Sequence, residues 1–389
     1  MTAYQHAIQL LKRVTTAHGF LASANDIANY KRVWARDGVI CGLAALVDGD
    51  STLIEGMRQT LITLSTHQHP LGNIPSNVYF TDNGVELSFG GLAGRVDTIA
   101  WFVIGVCQYT HITGDATFFE QHKAAMLKGF ALQHSWEYNN GDLMYVPRSG
   151  NWADEYPTQG FILYDQLLRV WALRCFLHIE EHQELRIKYE AIQEKILANF
   201  KKNAANKKPY HPKAFAALEK KSYWAAALEP AGYQTQFDGF ANALALLLDI
   251  GSVEDKQDLI HYTETLRYDL SLKLLPAFWP VIKKGDPDWQ WLTNNCKYEF
   301  RNHPYEFHNG GTWQMVNGFY GLGLVAQNRI TEAQAVLQQI ELCNKKENWG
   351  FYENFNSMTG EPNGIPFCAW SAAGNILLTQ ALQKPTILI

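Results

Sequence analysis

The sequence predicts an all-α protein folded as an (α/α)6 barrel, a six-hairpin toroid of about twelve helices, and three observations predict it. Apolar residues recur at helical spacing along most of the chain, while sustained period-two alternation is scarce. The connections alternate between tight and long. Every second helix is apolar nearly all round, which suits an inner ring buried on both sides.

Periodicity places the helices at 2–17, 36–48, 51–67, 94–111, 115–134, 158–179, 182–201, 234–250, 253–270, 310–326, 329–343 and 366–382. VDGDS joins 36–48 to 51–67, ITGDA joins 94–111 to 115–134, DIGSV joins 234–250 to 253–270, and AQNRI joins 310–326 to 329–343. These are turns of αα-hairpins. The segments leading into the alternate helices are about 15 to 40 residues long and carry most of the Trp, Gly, His and acidic residues outside helices; long loops of this kind carry function. GVICGLAALV, DTIAWFVIGVC, GFANALALLLDI and MVNGFYGLGLVA are the apolar inner helices, and their small residues permit close approach. An open superhelix of helical repeats is the rival architecture. Closure is favoured because the loops are individually distinct and no terminal hairpin carries a polar cap.

The 389 residues contain 47% hydrophobic and 18% charged residues, with no linker and no single-sign charge block, so one domain spanning 1–389 is expected. A formal charge of −5, from 33 basic and 38 acidic residues, supplies no basic field for nucleic acid or an anionic membrane. The lysine-rich run from Lys201 to Lys221 reads as a solvated excursion. Cys41, Cys107, Cys175, Cys296, Cys343 and Cys368 lie far apart and read as reduced thiols. Neither a signal peptide nor an apolar run long enough to span a bilayer is visible, so the cytoplasm is the expected location. A homo-oligomer is compatible with the sequence.

Each long loop deposits unusual residues just before an inner helix, and in a closed ring those places surround one funnel. The deposits are Trp34-Ala35-Arg36-Asp37, Gly94-Arg95-Val96-Asp97, Ser149 to Glu155, Gln236-Phe237-Asp238, Glu306 to Trp313, and Trp349 to Asn354. Mixed carboxylates and aromatics suit a saccharide: sugar C–H faces stack on Trp and Tyr, while hydroxyls need paired donors and acceptors. Gly-rich phosphate loops, GxSxG and HExxH are missing, so no cofactor or metal is expected.

At these residues the chain resembles the clan of six-hairpin glycosidases. NYKRVWARDGVICGLAAL, GNIPSN, GRVDTIAWFVIGVCQYTHITGD, MYVPRSGNWADEYPTQGFILYDQLLRVWAL, EFHNGGTWQMVNGFYGLGL and FYENFNSMTGEPNGIPFCAWSAAG follow the clan's order from about residue 29 to 375. The clan includes alkaline/neutral invertases, glucoamylases, glycogen-debranching glucosidases and trehalase-like α-glucosidases; the HNGG and TGE segments are most similar to the invertases and the debranching type. The resemblance implies Asp154 as general acid and Glu353 as general base. It further implies that Arg36 and Asp37 hold hydroxyls of the non-reducing sugar, and that Trp34, Asp97, Trp152, His308, Asn309, Trp313 and Trp370 complete that subsite. Glu155-Tyr156-Pro157 follow the acid where invertases carry basic residues, a departure that bears on fructose recognition.

Two carboxyls flanking a glycosidic oxygen divide the work, one protonating the leaving group and the other activating water; a separation of roughly 6.5–9.5 Å gives inversion. Desolvation by Trp152 and repulsion from Glu155 are expected to keep the proton on Asp154. Bland readings stand beside these. Asp154 could cap a helix, Arg36-Asp37 could be a structural ion pair, His308 could satisfy buried backbone, and Glu306 and Asp238 compete for the base role. The expected activity is inverting, exo-acting cleavage of an α-glucosidic bond in a small saccharide. A sucrose-cleaving neutral invertase, a sugar epimerase or isomerase on the same barrel, and a noncatalytic sugar-binding protein are the alternatives.

Overall fold

The computed structural model describes residues 1–202, 208–296, 299–384 and 388–389. Its first helix, Ala3–Val14 (α1), opens on a capping box in which Thr2 and Gln5 satisfy each other's backbone N–H groups. Helix Ala35–Asp48 (α2) ends on Gly49, whose φ of 88° a side chain would resist, and Asp50 caps Ser51–Thr66 (α3) by accepting from the N–H groups of Thr52 and Leu53. Gly114 and Asp115 repeat the device between Thr98–Thr113 (α4) and Ala116–Ser135 (α5). Leu163–Ile179 (α6) is followed by Gln183–Asn199 (α7), and a single turn, Pro212–Ala217 (α8), lies in the next long connection. Gly239–Leu247 (α9) pairs with Val253–Tyr268 (α10), Trp289–Asn294 (α11) is a second short helix, and Gln314–Ala326 (α12) pairs with Ile330–Trp349 (α13). Ala369–Gln383 (α14) is the last helix among the described residues.

The inner ring closes. α2 packs on α4, α4 on α6, α6 on α9, α9 on α12, α12 on α14, and α14 back on α2. α3, α5, α7 and α13 flank their inner partners from outside, α1 supplies the outer helix for α14, and α10 meets α12 where Thr263 and Glu264 share hydrogen bonds with the Tyr320 hydroxyl. Burial all round explains the inner sequences: every residue of α4 from Thr98 to Thr110 is buried. Close approach sets where glycine is required, since a Cβ on Gly318 of α12 would meet the Cα of Gly374 in α14 at 2.6 Å. The barrel is filled rather than hollow. Trp101, Trp171, Phe240 and Phe319, from four inner helices, pack ring on ring with centroids 5.1–6.3 Å apart.

Fourteen helices are described, against an expected twelve; the two additions, α8 and α11, are six residues each and too short to register as periodicity. The long connections also form four small antiparallel sheets, which pair backbone groups that would otherwise lack partners at the barrel mouth. The largest joins Phe161–Ile162, Ala225–Leu228, Tyr233–Asp238 and Phe278–Trp279. Lys201, placed by sequence in a solvated run, is instead buried against Asp255 at 2.9 Å, because it lies at the end of α7 where the chain turns inward. Residues 203–207 of that run lie outside the described residues. All six cysteines are unpaired, and all but Cys296 are buried. No helix among the described residues is long and apolar enough to cross a membrane.

Candidate active site

The loops entering four of the inner helices, α2, α6, α12 and α14, wall a cavity of about 900 Å³. Trp34, Arg36 and Asp37 enter it from the start of α2, Trp152 and Asp154 from the loop before α6, and His308 and Trp313 from the loop before α12. Glu353 and Trp370 come from the segment leading into α14. Asp97 and Asn309 are not among the lining residues. Asp97 lies behind Arg36, accepting its Nη1 at 2.5 Å and the Tyr164 hydroxyl at 3.1 Å. Asn309 clamps the loop: its side chain accepts from the Ile282 N–H and donates to the Ile282 and Asn302 carbonyls. Of the two rival bases, Glu306 lines the cavity and accepts from Asn356 at 3.1 Å, while Asp238 is buried and caps α9.

The cavity walls are aromatic. His308 stacks on Trp313 at 5.1 Å with nearly parallel planes, Trp152 meets both edge-on, and Trp370 meets Trp313 edge-on while lying under the Arg36 guanidinium. The two expected catalytic carboxylates reach the cavity from separate loops. Asp154 is held by Arg95, whose guanidinium also donates to the Ser149 and Gly94 carbonyls. Glu353 is fixed by its own backbone N–H, which donates to the Ile365 carbonyl, and by the Tyr30 hydroxyl, which donates to Oε1 at 2.5 Å. Its Oε2 is buried with no partner among the described residues.

With that geometry in place, the known proteins can be compared. The family model for alkaline and neutral invertases matches residues 173–385. This chain belongs to the alkaline and neutral invertase family of glycoside hydrolases. It is 22% identical to alkaline/neutral invertase C, mitochondrial, of Arabidopsis thaliana, over 92% of this chain and 62% of that protein. It is 21% identical to cytosolic invertase 1 of Oryza sativa subsp. japonica, over 95% of this chain and 75% of that one. Thus the chain spans 62–75% of the length of these two relatives. Its fold is similar to that of the mannosylglycerate hydrolase of Thermus thermophilus crystallised with Tris and D-glycerate, with a TM-score of 0.70 at 13% identity over 97% of this chain and 100% of that chain. A bacterial glucoamylase complexed with acarbose gives 0.67 at 14% identity, over 99% of this chain and 56% of that chain.

In this invertase-family chain, burial sets the electrostatics. Loss of water pushes the Glu353 carboxyl up to about 7, against the opposing effects of the Tyr30 hydrogen bond and the nearby Arg301 charge. Burial likewise raises Asp37 to about 6, with Arg36 opposing, and Asp238 to about 7. Asp165, in the first turn of α6, is pushed well above the ordinary carboxylate range by desolvation and by Asp97 and Asp238. Among the described residues no cluster of three or more His, Cys, Asp or Glu side chains is arranged to hold a metal ion.

Four contributors were given no role from sequence: Arg95 and Phe307, which lie in loops already singled out, and Tyr30 and Arg301. Arg301 reaches back from the loop before α12 to grip Glu155 at 2.6 Å while its guanidinium lies 4.2 Å over the Phe307 ring. The charge of Glu155, expected to repel Asp154, is therefore spent on Arg301. The signal for Tyr30 was available, because it stands four residues ahead of Trp34 in a segment already singled out. Arg301 had none, since the long loop that carries it has no periodicity.

Proposed function

We propose that this chain is an inverting, exo-acting hydrolase of an α-glucosidic bond in a small saccharide, with Asp154 as acid and Glu353 as base. The observation that carries the reading is the pair of carboxylates entering one tryptophan-walled cavity from different loops, one of them with a buried oxygen that has no partner among the described residues. In the proposed step, Asp154 gives its proton to the glycosidic oxygen as the bond to C1 breaks. Glu353 takes a proton from a water whose oxygen bonds to C1 from the opposite face, so the anomeric configuration inverts. An ion pair requires a charged carboxylate, so Arg95 must yield Asp154 before that transfer. Arg36, anchored from behind by Asp97, and Asp37 hold hydroxyls of the sugar, and Trp34, Trp152, Trp313 and Trp370 offer faces for its C–H groups.

Family membership makes sucrose, whose glucose is α-linked, the first compound to test. The Glu155–Arg301 pair beside the acid differs from the basic residues that the invertase resemblance implies there, so glucosylglycerate and trehalose belong in the same panel. The whole chain, 1–389, acts as one catalytic domain in this reading, and a cytosolic relative supports a cytoplasmic location. Reducing-sugar release with anomeric NMR, on the wild type and on Asp154→Asn and Glu353→Gln, tests it. Inverted hexose from one compound, lost in both variants, is the expected result; retained activity in either variant overturns the assignment.

A further inference from the structure

A second cavity, of about 300 Å³, opens between the loop that follows Asp154 and the 225–238 hairpin. Gln159, Gln234 and Gln236 line it together with Glu229 and Asp288. These side chains already face one another: Gln159 and Gln234 both donate to Glu229 Oε1, at 3.2 and 3.1 Å, and Gln236 donates to Asp288 at 3.2 Å.

The lining chemistry narrows the occupant. Two carboxylates and no lysine or arginine among the lining residues exclude an anion. Three amides and two carboxylates line it, a pattern matched by a molecule whose groups are hydroxyls, each both donor and acceptor. Trp291, half exposed at the rim, adds an aromatic face; Arg148 sits 4.0 Å over its ring and holds it in place. The volume lies at the lower end of ligand pockets, room for one sugar ring.

We propose that this cavity is a second carbohydrate site, distinct from the large cavity, that takes one neutral hexose unit of a saccharide. Tyr156, Phe278 and Trp152 form a stack, with centroids 4.0 and 5.9 Å apart, that runs from this cavity to the wall of the large one, so the two sites share a rigid partition. The proposal does not rest on the hydrolytic reading, because a bound hexose need not be cleaved.

Glucose, which has no glycosidic bond to break, is the probe. Crystals soaked in glucose, together with saturation-transfer NMR on the full chain, are compared between wild type and Gln236→Ala/Trp291→Ala. The expected result is a hexose against Gln236 and Asp288 in the crystal, and in solution two classes of glucose site, of which the double variant weakens one by about tenfold or more and leaves the other unchanged. Glucose confined to the large cavity, or two classes equally present in the variant, overturns the proposal. So does binding at crystal concentration only, with no second class in solution. Unchanged circular dichroism and melting of the variant separate a lost site from a lost fold.

Discussion

The Tyr30 hydroxyl and the Glu353 carboxylate meet at 2.5 Å although 323 residues separate them in the chain. The contact spans the closure of the ring, joining the loop before α2 to the loop before α14. It also stabilises the charged form of a carboxylate that burial would otherwise keep protonated.

If Glu353 acts as the base, kcat/KM rises with pH through about 7, the value to which burial brings this carboxyl, because only the ionised form accepts a proton from water. Tyr30→Phe removes a hydrogen bond to the charged form, so the acid limb moves to higher pH while activity at high pH is kept in large part. A pH–rate profile of both proteins checks this, and an acid limb that stays in place would sink the role given to Tyr30.

Glu353→Gln is expected to lower kcat by about a hundredfold or more. It should also change the pH dependence of stability. A carboxyl whose folded value lies above its unfolded one binds its proton more tightly when folded, so folding gains from it below about pH 4.5 and loses that gain as pH rises through about 7. The variant's melting temperature relative to wild type should therefore climb between those two values and stay high above them. Parallel thermal melts across the range decide it; a constant difference contradicts the raised value.

Asp97→Asn tests whether a residue behind the cavity wall matters to the sugar. Arg36 is only 11% exposed on its side chain and loses its charged partner, a change that costs about 3–5 kcal/mol when a buried pair is broken from one side. The guanidinium should also drift from the cavity, so kcat/KM falls while the exposed surface is untouched. Steady-state kinetics with denaturant unfolding give both quantities, and wild-type values in both would show that Arg36 does not depend on Asp97.

Gly364 has a φ of 73°, and a Cβ there would stand 2.5 Å from Glu353 Oε2. Gly364→Ala should displace that carboxylate and lower kcat about tenfold or more, with a stability loss of about 1–3 kcal/mol from strain. Kinetics and melting on the same preparation check it; full activity would place the working oxygen elsewhere.

The hairpins were legible because α2, α4, α9 and α12 carry apolar residues on every face and are followed by turn residues, Gly49-Asp50, Gly114-Asp115, Asp249 to Ser252 and Asn328, signals that sit within a few residues of each other. The site was legible to the level of loops. Asp97 and Asn309 belong to the right loops, yet one braces Arg36 from behind and the other ties Ile282 to Asn302, because residue type does not say which layer a side chain occupies. The small sheets escaped because strands such as Phe161–Ile162 are too short to alternate visibly, and their pairing depends on partners far along the chain.

The helix α1 rests on α14, so the earliest of the described helices is built to lie against the latest of them. Until α14 has been synthesised, α1 lacks its main neighbour and one flank of α2 stays open. The toroid therefore cannot lock before α14 is made; its closing hairpin is stitched from α1 and α14, far apart in the sequence, and closure waits for that pairing. A chain arrested before α14 should be far more sensitive to proteases than one that includes it.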